Sequence, residues 1–210
     1  VSSVSSLPMG LDRPDLTEVI ERHEGGLDAA RPDAVAKRRR RNRRTARENV
    51  ADLVDEGSFI EYGPLVIAAQ RRRRDVADLI AKTPADGLVG GIGDINGDLF
   101  ADVRMRKAIA VSYDYTVLAG TQGTQNHRKK DRLFELAEQL RIPLVFFTEG
   151  GGGRPGDTDG LGVSGLDCLA FLWFCLLYSS DAADAPPGLL LGGRRSRNHI
   201  TMYTLTRAQT

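Results

Sequence analysis

Two glycine-rich junctions, each following an apolar run, constrain this chain more than any other feature. The run Ala108–Leu118, rich in Val, Ile and Tyr, leads into Gly120–Thr124, and the almost entirely apolar Pro143–Thr148 leads into Glu149–Ser164. Between them, Asn126–Arg141 sets Leu133, Leu136, Ala137 and Leu140 at i, i+3, i+4 and i+7, the spacing of an amphipathic helix. With a further helix expected over Gly162–Phe174, the segment reads strand, helix, strand, helix. This is an α/β unit with right-handed crossovers. In parallel α/β architectures ligands gather at the edge where strands run into helices, and both glycine-rich junctions fall there.

The second junction, Thr148–Asp157, reads TEGGGGRPGD. Within regular structure each glycine costs roughly 0.5–1 kcal/mol relative to alanine, and one or two suffice for a turn. A run of four points to close approach of the backbone to a ligand, with amides presented as an oxyanion hole. Arg154 then offers a fork for a carboxylate or phosphate. At the first junction, Gly120 and Gly123 permit a sharp turn and are expected to leave N–H groups free at a helix N-terminus, where negative charge is favoured. A plain tight turn before the helix fits the same pattern. It is no Walker motif, since no GKS or GKT follows at the required spacing.

Upstream, helices are expected over Asp15–Glu24, Asp33–Glu56 and Asp75–Lys82, and strands over Ser58–Tyr62, Leu65–Ala69 and Leu88–Ile95. Glycine makes up 23 of the 210 residues, above the average of roughly 7%, in clusters that read as tight turns rather than a linker. The net charge of +1 removes any overall nucleic-acid-like bias. Local runs differ: Lys37–Arg44 reads KRRRRNRR and Arg71–Arg74 is a second run. Such runs are ordinarily solvated faces, and their functional reading is attraction of a polyanion. Cys168 and Cys175 have neither disulfide nor paired metal-ligand spacing, so a reducing cytoplasm fits and no metal is expected. No signal peptide is apparent. The apolar run Leu166–Tyr178 is shorter than the ~17–25 residues that span a bilayer. His127 reads as a solvated helix cap, and Asp94, Asp114 and Glu149 as lone carboxylates.

Several stretches together bring in a family. The segment 111–157, VSYDYTVLAGTQGTQNHRKKDRLFELAEQLRIPLVFFTEGGGGRPGD, resembles the carboxyltransferase component of biotin-dependent acyl-CoA carboxylases. Arg43–Gly63, RRTARENVADLVDEGSFIEYG, is similar to that family's early segment. Gly87–Gly97, GLVGGIGDING, is similar to its glycine-bearing strand pair, and GVSGLDCLAFLWF to the helix after its oxyanion loop. The resemblance runs from about Arg31 to Phe174, in the family's order.

That resemblance implies an α/β, crotonase-like fold, a right-handed superhelix of ββα units, incomplete here and preceded by N-terminal helices. It implies transfer of carboxylate from carboxybiotin to the α-carbon of an acyl-CoA, the thioester enolate being held by backbone N–H groups. Gly151 and Gly152 occupy the family's oxyanion pair, flanked by Gly150, Gly153 and Arg154. Gly120, Thr121 and Gly123 occupy its preceding loop. The implied cofactor is biotin, carried by a partner domain or subunit, with a CoA thioester as substrate. Implied partners are a biotin carboxyl carrier protein, a biotin carboxylase and further copies of the intact protein, with neither nucleic acid nor membrane. Lys37–Arg44 and the helix Arg128–Arg132 are candidates for the CoA phosphates.

Residues 1–30 are expected to be an N-terminal extension and residues 31–174 a partial N-terminal carboxyltransferase domain. Residues 175–210 do not continue the resemblance. CLLYSSDAAD reads as translated adapter sequence, so this tail is expected to be unrelated, artefactual or disordered. A fragment of this kind is expected to be inactive alone. Two alternatives remain at this level: another crotonase-fold acyl-CoA enzyme, a hydratase or decarboxylase, and a basic nucleic-acid or polyphosphate-binding module using the arginine runs.

Overall fold

In the computed structural model, the structure describes residues 13–159 and the strand at 202–205. The expected helix Gly162–Phe174 and the apolar run Leu166–Tyr178 lie outside the described residues. The elements run α1 (Pro14–Gly25), α2 (Pro32–Arg40), α3 (Ala46–Leu53), β1 (Ile60–Glu61), α4 (Val76–Lys82), β2 (Leu88–Asp94), β3 (Lys107–Tyr113), α5 (Thr124–Leu140), β4 (Leu144–Phe147) and β5 (Met202–Leu205). The strands form one sheet in the order β1-β2-β3-β4-β5.

β1, β2 and β3 are antiparallel neighbours, and β3, β4 and β5 run parallel. Thus β2, β3 and α5 make one ββα unit and β4 begins the next. The core lies between the sheet and α5: Leu88, Ile109, Val111, Leu144 and Phe146 meet Leu133, Phe134, Leu136 and Ala137. Leu133, at the centre, is fully enclosed. Removing such a side chain costs about 2–5 kcal/mol. Leu140, fourth in the expected stripe, instead stands 53% exposed in the last turn. Arg141 closes α5 in the left-handed conformation, at φ 55°, and Pro143 follows, where no helix can continue.

The second face of the sheet carries α3, with Ala46 and Val50 against Val89 and Ala110. β1 comes so close to β2 that a Cβ on Gly91 would stand 2.0 Å from the Ile60 carbonyl oxygen. Only glycine fits there.

Three expectations need correction. Asp33–Glu56 is two helices, not one. After α2 the chain turns at Asn42, with φ 52°, and α3 restarts on a capping box in which Thr45 Oγ1 accepts from Glu48 N–H and the Glu48 carboxylate accepts from Thr45 N–H. The T-x-x-E signal lay in the sequence, but helical residue types on both sides concealed it. Ser58–Tyr62 narrows to Ile60–Glu61, and Leu65–Ala69 forms no strand. Ile67, Ala68 and Ala69 are instead buried as loop, with Ile67 and Ala68 packed on Leu79. At the far edge of the sheet, β5 lies beside β4 in register Leu144↔Met202 to Phe147↔Leu205.

Candidate functional site

Two left-handed turns shape the edge of the sheet. Ala85, Asp86 and Gly87 have φ of 54°, 46° and 72° just before β2, and Leu118, Ala119 and Gly120 have φ of 47°, 55° and 66° after β3. Each non-glycine residue there costs roughly 1–2 kcal/mol, and such strain persists only where its surroundings enforce it. The turns lie side by side, Asp114 N–H donating to Gly87 O at 2.9 Å. The Lys129 ammonium, buried beneath the first turn, donates to the carbonyls of Ala85 at 3.0 Å and Leu88 at 2.5 Å. Burial lowers the Lys129 pKa to about 8, against the opposing pull of Glu61 and Asp86.

The second turn delivers the chain against the glycine run. Gln122 N–H donates to Gly152 O at 2.8 Å and Arg154 N–H to Gln122 O at 2.7 Å, so residues 122 and 153 pair as a short parallel bridge. A Cβ on Gly150 would stand 2.4 Å from Gly120 O, and one on Gly151 3.0 Å from Thr121 Cγ2. The two sequence-predicted junctions are therefore one structural feature. Gly150, Gly151, Gly152 and Gly153 are all exposed. Among the described residues their N–H groups have no backbone acceptor.

Arg154 does not extend from this loop to meet a ligand. It is 4% exposed, and its guanidinium is held by the carboxylates of Asp86 and Asp157, by Thr121 O at 2.7 Å and by Thr121 Oγ1 at 3.3 Å. Asp86, fully enclosed, also accepts from Asn126 N–H at 2.8 Å, while Asp157 accepts from Thr124 N–H at 2.8 Å. Burial raises the Asp86 carboxyl above its ordinary value, with the Arg154 charge opposing that shift. Two carboxylates of the chain itself thus sit on the α5 N-terminus. This corrects the expectation of N–H groups left free there.

Other expectations change too. His127 is buried, not a solvated cap, and Lys129 and Lys130 are buried as well, Lys130 donating to Tyr113 Oη at 3.0 Å and Gln122 Oε1 at 2.5 Å. Of the basic run in α5, Arg128 and Arg132 remain exposed. The three lone carboxylates all have partners: Asp94 with Lys107 at 2.6 Å, Asp114 with Arg31 at 3.0 Å and Glu149 with Arg38 at 2.5 Å. A single sequence does not reveal such pairings, because their members lie 13 to 111 positions apart.

An open cleft of about 880 Å³ adjoins this edge. Arg31, Lys37, Arg38, Arg40, Arg41, Arg74 and Lys82 line it against one carboxylate, Asp33, with Tyr115, Thr116 and Leu118 on the sheet side. Among the described residues, Lys37, Arg40 and Arg41 have no ion-pair partner. Clefts lined by one sign of charge concentrate counter-ions of the other. The first arginine run is therefore only partly a solvated face. Arg71–Arg74 is exposed, with Arg73 donating to Gly156 O at 3.1 Å.

The profile of the carboxyl transferase domain matches residues 37–169, which takes in α3, both left-handed turns and the whole glycine run. The chain belongs to the carboxyl transferase domain family. Propionyl-CoA carboxylase beta chain of Saccharopolyspora erythraea is 32% identical over 140 residues, 66% of this chain and 23% of that protein. The biotin-dependent long chain acyl-coenzyme A carboxylase beta4 subunit of Mycobacterium tuberculosis is 35% identical over 139 residues, 66% of this chain and 24% of that subunit. The chain thus spans about a quarter of the length of these curated relatives. Among solved structures, a single-chain, multi-domain long-chain acyl-CoA carboxylase superposes with a TM-score of 0.70 at 61% identity, covering 77% of this chain and 16% of that one. Transcarboxylase 12S, solved as a hexamer with methylmalonyl-coenzyme A bound, gives 0.55 at 27%, covering 78% and 28%. The α/β, crotonase-like carboxyltransferase fold is shown by these matches, over part of the domain. Among the described residues no helix is long and apolar enough to cross a membrane, and no cluster of metal-ligating side chains occurs.

Proposed function

We propose that this carboxyltransferase segment serves transfer of a carboxylate from carboxybiotin to the α-carbon of an acyl-CoA. The observation that carries the reading is the exposed run Gly150–Gly153, pressed against Gly120 and Thr121, with no backbone acceptor for its N–H groups among the described residues. Preorganised N–H donors of this kind lower the energy of a thioester oxygen as it takes on enolate charge. Gly151 and Gly152 are assigned the oxyanion contact, with Gly150 and Gly153 beside them. Gly120, Thr121 and Gly123 support the loop, and Arg154 fixes it from within instead of touching substrate.

Carboxybiotin, delivered on a carrier protein charged by a biotin carboxylase, supplies the carboxylate. Its ureido oxygen is itself an acceptor suited to exposed N–H donors, so the residues present fit the group. The CoA phosphates belong in the adjoining basic cleft, where Lys37, Arg40 and Arg41 carry the free charge. Acyl-CoA carboxylases among the relatives, and a hexameric neighbour with methylmalonyl-coenzyme A bound, support both the substrate class and assembly of the intact protein from several copies. A cytoplasmic location accords with that substrate.

The test is reconstitution. The 210-residue chain, given carboxylated biotin carrier and propionyl-CoA, is expected to form no carboxylated product by itself. Supplemented with the remaining carboxyltransferase portion of a long-chain acyl-CoA carboxylase, it is expected to form product in proportion to biotinylated carrier. Turnover independent of biotin, or hydration of an enoyl-CoA, would replace this reading with another acyl-CoA chemistry.

A further inference from the structure

Arg38 belongs to two features at once: it lines the basic cleft, and it grips the residue that opens the glycine run. Its guanidinium stands over the Tyr115 ring at 5.5 Å. Nε and one N–H of Nη2 donate to Arg44 O at 2.9 and 2.7 Å, while Nη1 and Nη2 donate to the two Glu149 oxygens at 2.9 and 2.5 Å. A guanidinium has five N–H donors in a fixed plane. Four are committed here. The fifth, on Nη1, has no acceptor among the described residues.

We infer that Arg38 is a positioning residue that couples an anion in the basic cleft to the glycine run, through Glu149. The inference rests on the cleft taking the phosphates of the acyl-CoA, and it adds that their arrival fixes the loop meant for the thioester. The fifth donor supplies the link. A phosphate oxygen that takes it need not displace Glu149, because the bidentate pair and the Arg44 carbonyl use the other four. The guanidinium, already held through four donors to Arg44 O and to Glu149, a side chain 38% exposed, then has its fifth donor taken as well. Glu149 precedes Gly150 directly, so fixing its carboxylate restricts the first peptide of the run. The coupling is therefore positive, and by linkage an acceptor on the glycine N–H groups must tighten anion binding by the same factor.

Lysine cannot take over this role. It presents a point charge on a flexible stem and cannot hold two carboxylate oxygens and a carbonyl in one plane. Arg38→Lys therefore separates anion attraction from loop fixation. Glu149→Gln does so from the other end, removing the charge that the guanidinium grips.

The experiment uses the full chain, labelled with 15N-glycine, and adenosine 3′,5′-bisphosphate as the probe. This nucleotide carries the CoA phosphate chemistry without the pantetheine arm, so it has no group to place on the glycine run. In the wild type, the Gly150–Gly153 amide signals are expected to shift and slow in hydrogen exchange, saturating at the dissociation constant found calorimetrically, while Gly57 stays unmoved. In Arg38→Lys and in Glu149→Gln, binding is expected to stay within about threefold, as Arg31, Lys37, Arg40, Arg41, Arg74 and Lys82 are untouched in both and position 38 stays cationic. The glycine shifts are expected to be lost in both. Circular dichroism checks that each variant is folded, and either one alone suffices. Binding without glycine shifts in the wild type, or shifts undiminished in a folded variant, overturns the coupling while leaving the cleft as the phosphate site. No binding at all overturns both.

Discussion

Gly120 and Gly150 meet backbone to backbone, with no room for a side chain on either: a Cβ on Gly150 would stand 2.4 Å from Gly120 O, and one on Gly120 would stand 2.6 Å from Glu149 O. The contact joins the loop after β3 to the loop after β4. It holds the glycine run at the sheet edge, where Gln122 and Gly153 then pair. Gly120 carries the further demand of φ 66°.

Substituting either residue tests whether this contact sets the loop. Gly150→Ala is expected to force the loops apart, since backbone carbonyls cannot step aside as a side chain can. Gly120→Ala adds a left-handed cost of roughly 1–2 kcal/mol. Gly152, at φ 81° with nothing within 4 Å of its Cβ, is the control that carries strain without collision. Chemical denaturation is expected to rank Gly120→Ala as most damaging and Gly152→Ala as least. Hydrogen exchange at Gln122 and Arg154 N–H should accelerate in the first two variants only.

Asp86 and Arg154 form the buried pair beneath that loop, and removing one partner leaves the other charge uncompensated. Arg154→Ala is expected to cost about 3–5 kcal/mol, as for other buried ion pairs broken from one side. The sign of its pH dependence follows from Asp86. Burial already raises that carboxyl, and losing Arg154 raises it further. A carboxyl raised in the folded state binds its proton more tightly there, so stability falls as pH rises through its value. The penalty of Arg154→Ala should therefore be larger at pH 7 than at pH 5. Equal penalties by urea denaturation at the two values would remove Asp86 from the account.

Much of this edge was legible in the sequence, and the reason lies in local periodicity. The spacing of Leu133, Leu136 and Ala137 gave α5, the apolar stretch before Thr148 gave β4, and the clustered glycines marked both loops, because each signal spans few residues. The role of Arg154 was not legible. Asp86 lies 68 positions earlier, in a left-handed turn that its sequence, Pro-Ala-Asp-Gly, announces only through the final glycine. Arg38 was hidden the same way, inside a run of like residues from which only three-dimensional placement singles it out. The capping box at Thr45 and Glu48 is different: that signal was local and sufficient, and it would have divided α2 from α3.

Lys129 supplies a prediction in the alkaline range. Its ammonium is buried on the carbonyls of Ala85 and Leu88, with a pKa lowered by burial to about 8 from 10.5. Between those values the unfolded chain holds the proton that the folded chain has released, so stability should rise with pH there. The shift corresponds to an effect on the order of 3 kcal/mol, at about 1.4 kcal/mol per unit. Glu61, Asp86 and Arg47 are the charges that act on this site, the two carboxylates raising the Lys129 pKa and the guanidinium lowering it. Lys129→Met keeps the buried stem and removes the titration. Its denaturation midpoint should stay level from pH 8 to pH 10 while that of the wild type climbs; parallel curves would show that Lys129 is not the group responsible.

The basic cleft yields a prediction that separates charge from shape. Lys37, Arg40 and Arg41 are exposed, and none has an acid partner among the described residues, so altering them disturbs no ion pair of the fold. Reversing Arg40 and Arg41 to glutamate changes the cleft by four charges and leaves Arg38 on Glu149. Surface substitutions of this kind usually move stability by less than about 0.5 kcal/mol, so the melting curve should scarcely change. Binding of coenzyme A should weaken by at least about tenfold at low salt, and its salt dependence should flatten as the cleft loses the field that draws phosphate. The Asp33→Asn variant, which removes the one opposing carboxylate, should act in the other direction. If coenzyme A binds the double reversal as well as it binds the wild type, its phosphates rest elsewhere, and the exposed Arg128 and Arg132 of α5 become the cations to examine next.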